Sequence, residues 1–96
     1  MNNLPATGDR YETKASIPAA YLQPGSNATI ENLTDKFIHS KVQFEVEKSD
    51  LPGYLKVRTL GSELLVPRIT IFYINEAVWM EPLNRKFFAE AEVHAV

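Results

Sequence analysis

Ninety-six residues suffice for one domain and not for two. A hydrophobic content of 45 % argues for a folded chain and against disorder, and the lack of cysteine excludes disulfides and any thiolate zinc site. The formal charge of −2 comes from interspersed acids and bases, so the basic stripe expected of a nucleic-acid binder is missing.

Residues 1–10 are polar and turn-rich, with Pro5 and Gly8-Asp9, and read as an N-terminal arm. Residues 11–96 read as a single β domain. Tyr11 to Ile17 alternates loosely, with Tyr11, Thr13, Ala15 and Ile17 on one side, and Pro18 is expected to end it. Ala19 to Leu22 reads as a short helical turn, and Gln23-Pro24-Gly25-Ser26 as a turn in which glycine accepts a positive φ. Asn27 to Leu33 is the next expected strand. Thr34 to His39 fits either a helical turn capped by Thr34 or a loop.

Lys41 to Glu47 is the cleanest strand. Val42, Phe44 and Val46 alternate with Lys41, Gln43, Glu45 and Glu47, the pattern of a sheet with one wet face. A Pro52-Gly53 loop follows. Tyr54 to Leu60 is then a strand with Leu55, Val57 and Thr59 inward. Gly61-Ser62 turns the chain, and Pro67 separates Leu64-Leu65-Val66 from the next run. Asn75-Glu76 is expected as a hairpin turn, Ala77 to Met80 as the return strand, and Leu83-Asn84-Arg85 as a loop. The tail from Phe87 alternates, with Phe87, Ala89, Ala91, Val93 and Ala95 on one face and Glu90, Glu92 and His94 on the other. Strand is preferred to helix there on periodicity.

Turn signals at this spacing predict a small all-β fold, an antiparallel sandwich or barrel of about 6–8 short strands. The run Ile17-Pro18-Ala19-Ala20-Tyr21-Leu22-Gln23-Pro24-Gly25-Ser26-Asn27 resembles a phrase found in β-sandwich domains of some carbohydrate-active enzymes, where it connects two strands. The resemblance implies a sandwich and no particular activity.

Arg68 to Ile74 is apolar on both faces: Ile69, Ile71 and Tyr73 share one side, Thr70, Phe72 and Ile74 the other. A chain this short buries only about 60–65 % of its unfolded surface. A partner surface is therefore expected to cover part of this strand, with Phe72, Tyr73, Trp79 and Met80 at the contact.

Candidate chemistry is sparse. Ser40, His39 and Asp35 make a triad on paper, but a triad is defined by spatial geometry and no Gly-x-Ser-x-Gly elbow accompanies them. Glu90, Glu92 and His94 share a strand face that could hold a cation; a solvated face is the ordinary explanation. Lys36, Lys41, Lys56, Arg58 and Arg68 lie among Phe37, Phe44, Tyr54 and Phe72, yet Phe44 belongs to the buried alternation, opposite Lys41. Tyr54, Lys56 and Arg58 do share a face and form the candidate ligand patch. Tyr11, Tyr21, Tyr54, Tyr73 and Trp79 fit a partner's pocket or the core equally well. Asn27-Ala28-Thr29 and Asn32-Leu33-Thr34 match the glycosylation pattern, and chance is the expected reading where no secretory signal is visible.

The sequence thus predicts a protein that is not an enzyme and uses no cofactor or metal. It would oligomerise or dock on a larger assembly, for instance as a capsid, decoration or connector subunit of a virus or phage. The alternative is a carbohydrate- or peptide-binding β-sandwich module. The expected location is a virion or the cytoplasm, because neither a signal peptide nor a membrane-spanning run is visible.

Overall fold

The computed structural model describes residues 4–60 and 70–90. The chain forms strands β1 (Arg10–Thr13), β2 (Ile17–Leu22), β3 (Leu33–Ile38), β4 (Gln43–Glu47), β5 (Tyr54–Thr59), β6 (Ile71–Asn75) and β7 (Phe88–Glu90). A one-turn helix α1 (Glu76–Met80) and 3-10 helices at Ile30–Asn32 and Pro82–Phe87 complete the described elements. The strands pair antiparallel in one sheet of order β3-β2-β6-β5-β4-β1-β7. The expected all-β fold is therefore present, with seven described strands joined in a single sheet. Among the described residues no helix is long and apolar enough to cross a membrane.

Connection lengths show that this sheet is rolled. In the ladder β1 and β2 stand four places apart, which in a flat sheet is about 19 Å. Only residues 14–16 join them, and four residue steps reach at most about 14 Å. Strands β3 and β4 are also four places apart and are joined by residues 39–42 alone. Both links can close only if the sheet bends so that its two halves face each other.

Thr13 fastens the corner where the two links meet. Its buried hydroxyl donates to the His39 carbonyl at 2.6 Å and accepts from the Val42 N–H at 3.0 Å. Its backbone N–H donates to the Val42 carbonyl, and its own carbonyl accepts from the Lys41 N–H at 2.7 Å. Lys41 makes the turn at φ 65°, the left-handed region.

The inner face of the rolled sheet holds the main core: Ile17, Ala19, Ile38, Phe44, Val46, Leu55, Val57, Ile74 and Phe88, with Trp79 of α1 packed among them. Trp79 meets Tyr11 edge-on at 4.8 Å and Phe88 at 4.4 Å between ring centroids. The alternations of β4 and β5 place Phe44, Val46, Leu55, Val57 and Thr59 inward, as their pattern predicts. The arm is tied to the sheet as well. Leu4 packs against this core, and Gly8 donates to the Val46 carbonyl at 2.8 Å.

At Tyr73 and Ile74 strand β6 is buried on both faces by the chain itself. Ile74 faces the inner core, while Tyr73, 1 % exposed, lies on the outer face under Leu51 and beside Ala20. Tyr73 and Trp79 are thus core residues and not the free docking surface expected of them. Phe72 is half-buried, and of that set Met80 alone stays exposed.

Several local expectations are corrected. Ala19–Leu22 is strand, because β2 lies between β3 and β6 and buries alanines on both faces. Pro18 is tolerated inside it because the β6 ladder begins only at Ala20. Residues 27–29 are not strand: Asn32 Nδ2 donates to the Asn27 carbonyl at 3.0 Å and holds a local turn, and β3 starts at Leu33 instead. Thr34 to Ile38 belongs to that strand, with neither a helical turn nor a loop. Ala77–Met80 is helical because Asn75 Oδ1 accepts from the Ala77 N–H at 2.8 Å and caps a turn that Trp79 anchors in the core. Residues 83–85 lie in the second 3-10 helix. In the tail the phase shifts by one. Phe87 closes the 3-10 helix, so Phe88, opposite Thr13, is the inward residue. Gly61 to Ile69 and the tail beyond Glu90, including Glu92 and His94, lie outside the described residues.

Two substitutions test the corner. Thr13→Val keeps the shape and strips the hydroxyl from two partly buried backbone hydrogen bonds; it is expected to cost about 2 kcal/mol in urea unfolding. Lys41→Gly relieves the left-handed backbone and is expected to gain about 0.5–1 kcal/mol in the same assay, whereas Lys41→Val loses stability.

Candidate ligand-binding cleft

The outer face of the sheet divides into a charged half and a clefted half. On the charged half Arg58 Nε bonds Glu47 Oε2 at 2.9 Å, Arg58 Nη2 bonds Glu45 Oε2 at 3.3 Å, and Arg10 Nε bonds Glu45 Oε1 at 2.9 Å. These side chains meet because the register sets Arg10 and Arg58 on either side of Glu45. The Arg10 guanidinium, more than any other group, holds the Glu45 carboxyl below its ordinary range.

The clefted half is organised by the loop between β4 and β5. Ser49 Oγ accepts from the Leu51 N–H at 3.2 Å, and Gly53, at φ 84°, ends the turn. This loop seats Leu51 on the Tyr73 ring and holds Asp50 beside the Tyr73 hydroxyl, which donates to Asp50 Oδ1 at 2.7 Å. Lys56 stands directly opposite Tyr73 in the β5–β6 ladder, and its Nζ lies 3.7 Å from Asp50 Oδ2. The Tyr73 hydrogen bond is the main reason the Asp50 carboxyl sits below its usual range. Burial, then the Asp50 hydrogen bond, pushes the Tyr73 phenol well above its usual value.

Tyr73 separates two clefts. One, of about 510 Å³, lies between the 23–26 turn and the Asp50–Lys56 pair, with Leu22, Ala28 and Ile71 as its apolar lining. The other, of about 400 Å³, lies across the ring, bounded by Ile30, Leu33, Asp35, Tyr54 and Val78. Both fall in the size range of small-molecule sites.

The ligand patch read from sequence is divided among these features. Tyr54, Lys56 and Arg58 share the outer face, but Tyr54 borders the smaller cleft, Lys56 the larger, and Arg58 is bonded to two glutamates. Asp50, read only as a turn residue, is the acidic partner that pattern reasoning missed; nothing in the local sequence signals that it meets Tyr73, 23 positions away. The paper triad is not assembled. His39 and Asp35 are exposed, and among the described residues no hydrogen bond joins their side chains or that of Ser40. His39 contributes its carbonyl to the Thr13 corner. Among the described residues no group of three or more histidines and carboxylates could hold a metal. Lys36, on β3, and Lys41, at the corner, are exposed and Phe44 is buried, so the wider basic–aromatic set does not gather on one exposed face among the described residues. The glycosylation-pattern asparagines Asn27 and Asn32 are exposed but bonded to each other through side chain and backbone.

No protein-family model, no curated protein and no solved structure matches this chain.

The Asp50–Tyr73 bond ties stability to pH. Asp50 has a lower pKa folded than unfolded, so its contribution is present above the unfolded carboxylate pKa and lost as pH falls through the folded one. Tyr73→Phe is expected to cost about 1 kcal/mol at pH 7, with the gap to wild type closing as urea melts are taken down toward pH 3. A gap that stays constant with pH would show that the carboxylate plays no part.

Proposed function

We propose that this chain is a non-enzymatic docking subunit, and that its contact surface is the β3 end of the sheet. The reading is carried by the exposed apolar residues gathered there. Phe37, next to the last residue of β3, is 61 % exposed, and Ile30, in the turn before the strand, is 65 % exposed. Pro18 lies opposite Phe37 in the ladder and is exposed too. Among the described residues no strand pairs with the outer edge of β3, so backbone donors and acceptors are available for an added strand.

Charge favours a different protein over a second copy at this edge. In antiparallel self-pairing about a two-fold axis, only registers that keep like faces together are allowed. The two such registers that align most of β3 set Asp35 against Asp35 or Lys36 against Lys36, and like charges directly opposite are destabilising. A foreign strand with a basic residue facing Asp35 avoids both conflicts. A particle component of a virus or phage is one setting for such a subunit.

Lys36 supplies the probe. Amine cross-linking of the chain in extract from its source is expected to join Lys36 to one partner protein, and Phe37→Glu is expected to remove that cross-link while leaving the thermal melt unchanged. Partners that attach elsewhere, or that persist with Phe37→Glu, would defeat this reading. Self-association mapped to Lys36 by light scattering and cross-linking would defeat the choice of a foreign partner.

A further inference from the structure

We propose that the larger cleft binds a neutral carbohydrate, with Asp50 and Lys56 gripping neighbouring hydroxyls of one sugar ring. This goes beyond the docking role and rests on a separate part of the surface.

The cleft offers an acceptor and a donor side by side. Asp50 Oδ1 is already held by the Tyr73 hydroxyl at 2.7 Å, which fixes the carboxylate in place. Oδ2 faces Lys56 Nζ at 3.7 Å, too long for a direct hydrogen bond. The ammonium therefore keeps donors to spare, and the carboxylate keeps lone pairs. Adjacent hydroxyls of a sugar ring match this arrangement: one donates to Asp50 while its neighbour accepts from Lys56, both as charge-assisted bonds.

The same cleft also has an apolar lining. Leu22, Ala28 and Ile71 are half-buried and border the same space. A sugar ring carries a face of C–H groups that would lie on such residues while its hydroxyl edge meets the pair. The two charges cancel locally, so neither a free anion nor a free cation gains from entering: Asp50 repels the first and Lys56 the second. A neutral ligand with alternating donors and acceptors remains. The volume of about 510 Å³ admits a short oligosaccharide. Tyr73 positions Asp50 and Leu51 holds Tyr73, so the grip is anchored in the fold.

The full chain would be screened on an array carrying neutral and acidic glycans, and its best neutral hit titrated by calorimetry. Wild type is expected to bind one or more neutral glycans. Lys56→Met and Asp50→Asn are each expected to weaken binding about tenfold or more. Ala28→Trp, which fills the cleft without touching either charge, is expected to abolish it. Circular dichroism melts check that all three variants fold; both charged side chains are partly exposed, and Ala28 lies in a loop. Absence of binding to every neutral glycan at millimolar concentration overturns the proposal. So does a preference restricted to acidic glycans, or affinity unchanged in all three variants. Loss of Lys36 cross-linking with Phe37→Glu would leave this result untouched, so the two readings fail separately.

Discussion

The corner at Thr13 is the constraint from which the rest of the molecule follows. Two short links, 14–16 and 39–42, bring together strands that the ladder separates by four places. The sheet must roll to satisfy both. Thr13 makes the rolled form stable by satisfying, within one buried side chain, the polar groups that such a bend strands away from water. Lys41 bears the conformational cost at a positive φ. Rolling in turn creates an enclosed inner face, and that face allows a chain without disulfides to assemble a core around Phe44, Trp79 and Phe88.

A rolled sheet also changes what an outer face can be. The half over β4 and β1 carries a ladder of arginine–glutamate pairs, each partly solvated and individually worth little. The half over β6 and β2 is covered by the chain's own loops. Leu51 packs with Tyr73, and the 23–26 turn borders the larger cleft beside it. The fixed Asp50 carboxylate and the Lys56 ammonium meet there because register and loop converge on one tyrosine. The proposed docking at β3 and the proposed ligand capture in the cleft call on different residues of this half, so neither proposal excludes the other.

The doubly apolar strand shows where reasoning from pattern reached its limit. Its composition requires cover on both faces, and both faces of Tyr73 and Ile74 are covered. What supplies the cover could not be read from the strand. A helix of five residues delivers Trp79 to one side, and the short loop of residues 48–53 delivers Leu51 to the other. Neither looks like a covering element in sequence, because each contributes a single large side chain rather than an amphipathic run. The exposed Phe37 was equally hidden: its strand begins after a stretch whose asparagines bond locally, and its apolar neighbours suggest burial.

Alternation and turn chemistry by themselves determined the fold class, the strands β4 and β5 with their inward residues, and the glycine turns at Gly25 and Gly53. These depend on interactions between residues a few positions apart, which a linear pattern records. Tertiary structure decided the rest. It set the order of the strands, made β2 a strand despite Pro18, turned 76–80 into a helix, shifted β7 by one residue and joined Asp50 to Tyr73 and Lys56. Each of these depends on which segments become neighbours once the sheet rolls, and that follows from link lengths and one buried hydroxyl, not from any local preference.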